Sequence, residues 1–351
     1  MSASLPSQVT YGRLGNSGLK VSNVILGCMS YGNKGWAPWL IDDEKEVIKH
    51  ISTAWEAGIN TFDTANVYSN GESEELLGKA LKALSIPRSE VVILTKTFFT
   101  VSKDRLVHPH DIPDPNKSRD YVNNHGLSRK AIFESVAASL KRLDVEYIDV
   151  LQCHRFDYET PIEETMDALH DLVKSGVIRY IGMSSCWAHQ FAAMQNYAKS
   201  KNQTMFISMQ NFYNALYREE EREMLPTCKQ YGVGAIPWSP LAKGTLTRPW
   251  SETSHRSSTD RIQESQFGDI TPEHKAINEA VEKIAKARGY SMAQVAVAWI
   301  LSNDTVAAPI VGSTKVESIK ELAAATHIKL TEEEIKSISE PYKTRAVMGH
   351  A

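Results

Sequence analysis

Eight short apolar runs recur along this chain, at residues 24–26, 61–62, 91–94, 148–151, 178–181, 206–209, 233–236 and 306–310. Segments with helical periodicity lie between them, among them 42–57, 72–84, 128–143, 162–174, 189–198 and 221–231. Apolar runs of this length read as strands buried on both faces. Strands joined by helices run parallel, because a parallel pair needs a long crossover connection. Eight such units predict a (β/α)8 barrel, with the helices covering the sheet. The alternative is a doubly wound open sheet, which carries a glycine-rich turn after its first strand. Leu26-Gly27-Cys28-Met29-Ser30-Tyr31-Gly32 does not fit G-x-G-x-x-G, so the barrel is expected.

With 351 residues and 42% hydrophobic content, the chain can bury a core of that size. One domain is expected over 1–351, with the barrel core at about 22–325 and a C-terminal helix and tail at about 331–351. Residues 9–14 and 19–21 flank Gly15-Asn16-Ser17-Gly18 and predict an N-terminal β-hairpin. Two stretches break the alternation: 98–126, rich in Pro, His and Asp, and 242–271, rich in Ser, Thr and Arg. Both are placed as long loops at the C-terminal rim, where a barrel carries its functional groups.

The formal net charge of -3 gives no reason to expect nucleic acid or an anionic membrane as a partner. No apolar run approaches a membrane span, and MSASLPSQ has no signal-peptide character. Cys28, Cys153, Cys186 and Cys228 lie far apart without a CxxC pair, which predicts reduced thiols and a cytoplasmic protein. His108 and His110, in a polar loop without further clustered ligands, give no metal site. A small-molecule substrate is the expected partner, and oligomeric state is open.

Asp63, Lys96 and His154 end three successive predicted strands, and Tyr68 lies in the loop that follows Asp63. A phenol titrates near pH 10, so at neutral pH it is a reluctant proton donor. An ammonium held against it is expected to lower that value, and an aspartate to fix the ammonium by an ion pair. An imidazole on the next strand end can hydrogen-bond and orient a carbonyl. Singly, each residue has a structural explanation as a cap, a solvated cation or packing. Their convergence on one rim makes them the candidate catalytic set.

The segment Phe62-Asp63-Thr64-Ala65-Asn66-Val67-Tyr68-Ser69-Asn70-Gly71-Glu72-Ser73-Glu74 resembles the signature of the aldo-keto reductases, with their Asp, Tyr, Lys and His tetrad. The similarity runs from about Tyr11 to Tyr342, and the chain also resembles the fungal aryl-alcohol dehydrogenase-like branch of that superfamily. The resemblance implies NADP(H) lying across the barrel rim. It places the nicotinamide carboxamide at Ser184, Ser185 and Gln210, and the ring on Trp238. It also places the pyrophosphate at Ser239, Pro240, Leu241 and Gly244, with Arg261 as a clamp. The adenosine 2′-phosphate falls to Gly312, Ser313, Thr314, Lys315 and Ser318, and the adenine to Glu321. The sequence departs from the family's pattern at Ser185, Ser318 and Leu322.

Tyr31, Trp36, Trp39 and Phe98 are rim aromatics and the candidate substrate contacts, suited to an apolar aldehyde. NADPH-dependent reduction of an aldehyde or ketone is therefore expected, with Tyr68 as general acid and base. The alternative is an NADPH-binding redox-sensing module with slow turnover, similar to potassium-channel β-subunits. A metal-dependent hydrolase on the same barrel would need several rim ligands that the sequence lacks.

Overall fold

The computed structural model describes residues 8–252 and 271–350. Strands β1 (Tyr11–Arg13) and β2 (Lys20–Ser22) pair antiparallel as the expected hairpin. The chain then alternates through β3 (Ile25–Gly27), α1 (Glu44–Glu56), β4 (Thr61–Asp63), α2 (Glu72–Ala83), β5 (Val92–Thr97) and α3 (Arg129–Leu143). It continues as β6 (Ile148–Cys153), α4 (Ile162–Ser175), β7 (Ile178–Ser184), α5 (Ala188–Ser200), β8 (Phe206–Gln210), α6 (Met224–Tyr231) and β9 (Gly234–Ala235). Helices α7 (Pro272–Arg288) and α8 (Met292–Ile300) precede β10 (Ile310–Val311), which is followed by α9 (Val316–Ala324) and α10 (Glu332–Ser339).

The eight strands β3 to β10 form one parallel sheet in the order β10-β3-β4-β5-β6-β7-β8-β9. Parallel bridges from Ala235 to Val306 and from Trp238 to Ile310 join its two edges and close the barrel. The (β/α)8 expectation holds. Strands β5 and β6 run past the apolar runs that announced them, because they continue through the polar Lys96 and Gln152, which turn into the barrel. At the closing seam the opposite happens. The run at 306–310 keeps one bridge at Val306 and then the two-residue β10, with Pro309 lacking the N–H that a central strand donates.

Side-chain alternation along the strands sorts the core into layers. Inside the barrel, Ile25, Val92, Leu94, Val150, Ile236 and Ile310 cluster with Leu14 and Val21 of the hairpin, which plugs the N-terminal floor. Gly15 makes that docking possible: its φ is +59°, and a Cβ there would lie 2.4 Å from the Gly232 carbonyl oxygen. Outward-facing residues such as Ile93, Leu151, Ile181 and Met209 pack under the helices. One step up the inward face from Leu94 and Val150 stand Lys96 and Gln152, paired in register across β5 and β6. The barrel therefore changes from apolar to polar within one pleat, and that polar layer is the site.

Candidate active site

Lys96 is fully buried and Asp63 is 2% exposed. The Lys96 ammonium donates to Asp63 Oδ2 at 2.6 Å, to the Thr64 carbonyl at 2.8 Å and to the Tyr68 hydroxyl at 3.0 Å. All three of its donors are thus used, as a buried ammonium requires. The second oxygen of Asp63 accepts from Gln152 Nε2 and Gln210 Nε2, each at 2.9 Å, and Gln210 also donates to Gln152 Oε1 at 2.8 Å. Gly182 leaves room for this layer, since a Cβ on it would lie 2.3 Å from Ser208 Oγ and 3.1 Å from Gln152 Cγ.

Local chain geometry delivers Tyr68. The backbone of Thr64 and Asn66 continues the β4–β5 ladder, donating to the Leu94 and Lys96 carbonyls. Tyr68 then opens a tight 3-10 turn (Tyr68–Gly71) in which Ser69 and Asn70 take left-handed conformations, with φ of 47° and 50°. Asn70 suits that conformation, and its side chain donates to the carbonyls of Asp104, Arg105 and Val107 and accepts from Ser102 N–H. The turn carrying Tyr68 therefore also pins the long loop after β5. Helix α2 begins directly afterwards with Glu72, Glu74 and Glu75 in its first turn, where its dipole favours acids.

The His154 ring meets the Tyr68 ring edge-on at 5.9 Å and the Phe99 ring at 4.9 Å. Burial, with Arg155 and Lys96 nearby, holds its imidazole pKa well below the ordinary value, so the ring is neutral at physiological pH. Its Nδ1 is buried without a hydrogen-bond partner. A neutral ring with Nδ1 unpartnered can present an N–H at Nε2 to a ligand. For Tyr68 the expected lowering does not prevail. Burial pushes the phenol up more than the Lys96 ammonium pulls it down, and Asp63 adds to the rise, so the group stays protonated. Burial also opposes the charge on Lys96, but Asp63 and Tyr68 together raise its pKa.

The second group of expected residues lies across the rim. Ser184 Oγ donates to the Gln210 carbonyl at 2.6 Å, and Ser185, at φ 43°, donates its N–H to Asn211 Oδ1 at 2.8 Å. Trp238 Nε1 reaches Ser185 Oγ at 3.4 Å, and the indole stacks on Phe212 at 4.5 Å. Ser239, with φ 54°, Ala242, Lys243 and Gly244 take left-handed conformations in a turn that also holds Leu241, whose φ is -94°. Pro240 is buried in this turn. Gly312, Thr314 and Lys315 are exposed before α9, and Ser313 Oγ accepts from Lys315 N–H at 2.9 Å. Ser318 and Glu321 lie further along α9. Arg261 falls outside the described residues.

Among the expected substrate contacts, Phe98 packs edge-on against Phe99 at 5.1 Å, beside His154. Trp36 and Trp39 belong to a small apolar cluster with Met29 and Leu40, and Trp36 lies against His108 at 4.7 Å. Tyr31 is a correction. It is 1% exposed and packed against His50 of α1 in the shell beneath the helices, so it has no surface to offer a substrate.

Several site residues escaped the sequence reading. Gln152 sits in an apolar strand where only the period-2 register with Lys96 could have marked it. Asn211 joins Glu220, His350 and Ser185: Asn211 Nδ2 donates to Glu220 Oε2 at 2.5 Å, and His350 Nε2 lies 2.9 Å from Glu220 Oε1. Through these contacts the C-terminal tail crosses the rim, with Gly349 packed against Ser185 and Trp238. Arg248 lies beside Gly244, 3.1 Å from where a Cβ would stand. No sequence signal announces contacts this distant. The described residues hold no group of three or more metal-ligating side chains and no helix long and apolar enough to cross a membrane.

A parallel barrel with a buried Asp–Lys–Tyr relay at its C-terminal rim, beside a neutral histidine, is the arrangement of a barrel oxidoreductase. The sequence comparisons agree. The family model described as the aldo/keto reductase family matches residues 23–343. An aldo-keto reductase of Fusarium vanettenii is 48% identical over 98% of this chain and 94% of its own. The versiconal hemiacetal acetate reductase of Aspergillus parasiticus is 49% identical over 96% of this chain and 98% of its own. A Schizosaccharomyces pombe protein provisionally named an aryl-alcohol dehydrogenase is 50% identical over 97% of both chains. The chain belongs to the aldo/keto reductase family. It is accordingly an oxidoreductase acting on carbonyl or alcohol groups, in a family that generally uses a nicotinamide cofactor.

Proposed function

We propose that this protein reduces an aldehyde or ketone to an alcohol with NADPH, using Tyr68 as the general acid. The supporting observation is the 3.0 Å contact between the Tyr68 hydroxyl and a Lys96 ammonium that Asp63 holds at 2.6 Å. NADPH, when bound, supplies the hydride that reduces the carbonyl carbon. The residues govern the oxygen. His154 donates from Nε2 to the carbonyl and orients it, and Tyr68 gives its proton to the oxygen as negative charge develops there. Lys96 stabilises the phenolate that remains. Solvent then returns a proton to Tyr68. Alcohol oxidation is the same path reversed, with Tyr68 as base.

The residues present suit the cofactor. Gln210 Oε1 makes no hydrogen bond among the described residues, so an amide acceptor stays open next to the Ser184 hydroxyl. Trp238 offers an aromatic platform backed by Phe212. The N–H groups at the start of α9 have no side-chain cap, and Lys315 lies beside them, which suits a 2′-phosphate. We further read the chain as one domain and as cytoplasmic, supported by four free, buried cysteines.

The test is NADPH consumption with a panel of aromatic and aliphatic aldehydes, on the wild type and on Tyr68→Phe. Turnover is expected to fall by about 10²- to 10⁴-fold in the variant, with NADPH binding, followed by tryptophan quenching, retained. Binding without turnover in both proteins would favour the redox-sensing role. Failure of either to bind would remove the cofactor assignment.

A further inference from the structure

Arg155 differs from three other partly buried arginines near the barrel. Arg88 meets Asp149 at 2.6 Å, Arg142 meets Glu74 at 2.6 Å and Arg218 meets Glu221 at 2.7 Å. Arg155 meets no carboxylate among the described residues. Its one hydrogen bond among the described residues runs from Nη1 to the carbonyl of its neighbour His154, at 2.6 Å. The nearest acid along the chain, Asp157, is engaged elsewhere, accepting from Leu127 N–H at 2.6 Å and from Thr160 Oγ1 at 2.7 Å.

The guanidinium lies over the Phe99 ring, 5.4 Å from its centroid, and that ring contacts both His154 and Phe98. It also acts on the chemistry, drawing the pKa of both His154 and Tyr68 downward. Burial in turn pulls its own pKa down. Arg155 is partly buried, and four of its five donors make no hydrogen bond among the described residues, so the guanidinium is available to an anion. Its planar fork matches a carboxylate in bidentate fashion.

The cofactor proposed above would not supply that anion. Its phosphates would be held on the opposite side of the rim, where Arg248, another arginine without a carboxylate partner among the described residues, stands beside Gly244. The nicotinamide end, which would have to serve Tyr68 and His154, carries no anionic group.

We propose that Arg155 is a substrate-binding residue, and that the preferred substrates are carbonyl compounds carrying a carboxylate across a flat apolar spacer from the reacting group. This inference rests on the reductase reading above. The carbonyl lies between Tyr68 and His154, the spacer against Phe99 and Phe98, and the carboxylate in the fork of Arg155.

The experiment compares kcat/KM for 4-carboxybenzaldehyde and its neutral methyl ester, on the wild type, Arg155→Met and Arg155→Lys. The wild type is expected to prefer the acid by roughly 10- to 100-fold, as suits a charge-assisted pair. Arg155→Met should bring the acid-to-ester ratio to one or below, whatever happens to the ester alone. Arg155→Lys should recover part of the ratio. Equal use of acid and ester by the wild type, or an unchanged ratio in Arg155→Met, overturns the proposal. If neither aldehyde is reduced by a wild type that binds NADPH, the reductase reading fails instead.

Discussion

The two halves of the rim hold polar groups in opposite ways. On the β4–β6 side, Asp63, Lys96 and Gln152, joined by Gln210 reaching in from β8, form a closed network in which every ammonium donor and both carboxylate oxygens are used. On the β7–β10 side the groups sit on loops, in left-handed turns at Ser185, Ser239, Ala242 and Lys243, and Lys315 stands exposed before α9. The first side can hold an acid within a fraction of an ångström, because buried, mutually hydrogen-bonded groups rigidify one another. The second exposes loop backbone and Lys315, which suits the large anionic cofactor proposed above. Proton transfer needs the former and cofactor exchange the latter.

The sharpest way to break this contrast is Lys96→Met. It strands Asp63 as an unpaired buried charge, so a loss of about 3–5 kcal/mol in urea denaturation is expected, together with loss of turnover. Unchanged stability would show that the network is not closed. Turnover against pH comes next. Because Tyr68 is raised above 10, reduction should stay active until pH climbs past the ordinary tyrosine range, and then fall as the phenol deprotonates. His154, held well below 6.5, should stay neutral down to moderately acidic pH. A decline in kcat/KM centred on pH 6.5 would contradict that. The smallest effect belongs to the open side. Lys315→Met should weaken NADPH roughly 5- to 10-fold, leave NADH nearly unchanged and move stability by less than about 0.5 kcal/mol. Equal loss for both cofactors would argue against a 2′-phosphate contact.

Much of the tetrad was legible because its members end strands, and strand ends are the part of a barrel that sequence locates well. Asp63, Lys96 and His154 follow apolar runs, and Tyr68 follows Asp63 by a short loop. Gln152 was not legible, since a glutamine within an apolar run looks like noise until register sets it beside Lys96. Tyr31 misled for the converse reason. A loop aromatic near the rim can turn toward either layer, and this one turned outward against His50. Arg155 follows His154 directly, yet what distinguishes it is that no carboxylate meets it among the described residues, and sequence does not show partners.

The sequence by itself determined the parallel barrel, the hairpin before it and which polar residues end the strands at its rim. Alternating apolar and polar positions fix which face of each element is buried, and period and spacing are local properties. The sign of the Tyr68 shift, the tail carrying Gly349 and His350 across to Ser185 and Glu220, and the unmatched charge of Arg155 were decided only by the tertiary structure. Each is a balance between burial and charges brought together from distant parts of the chain. That balance is set by distances through space, which no local pattern contains.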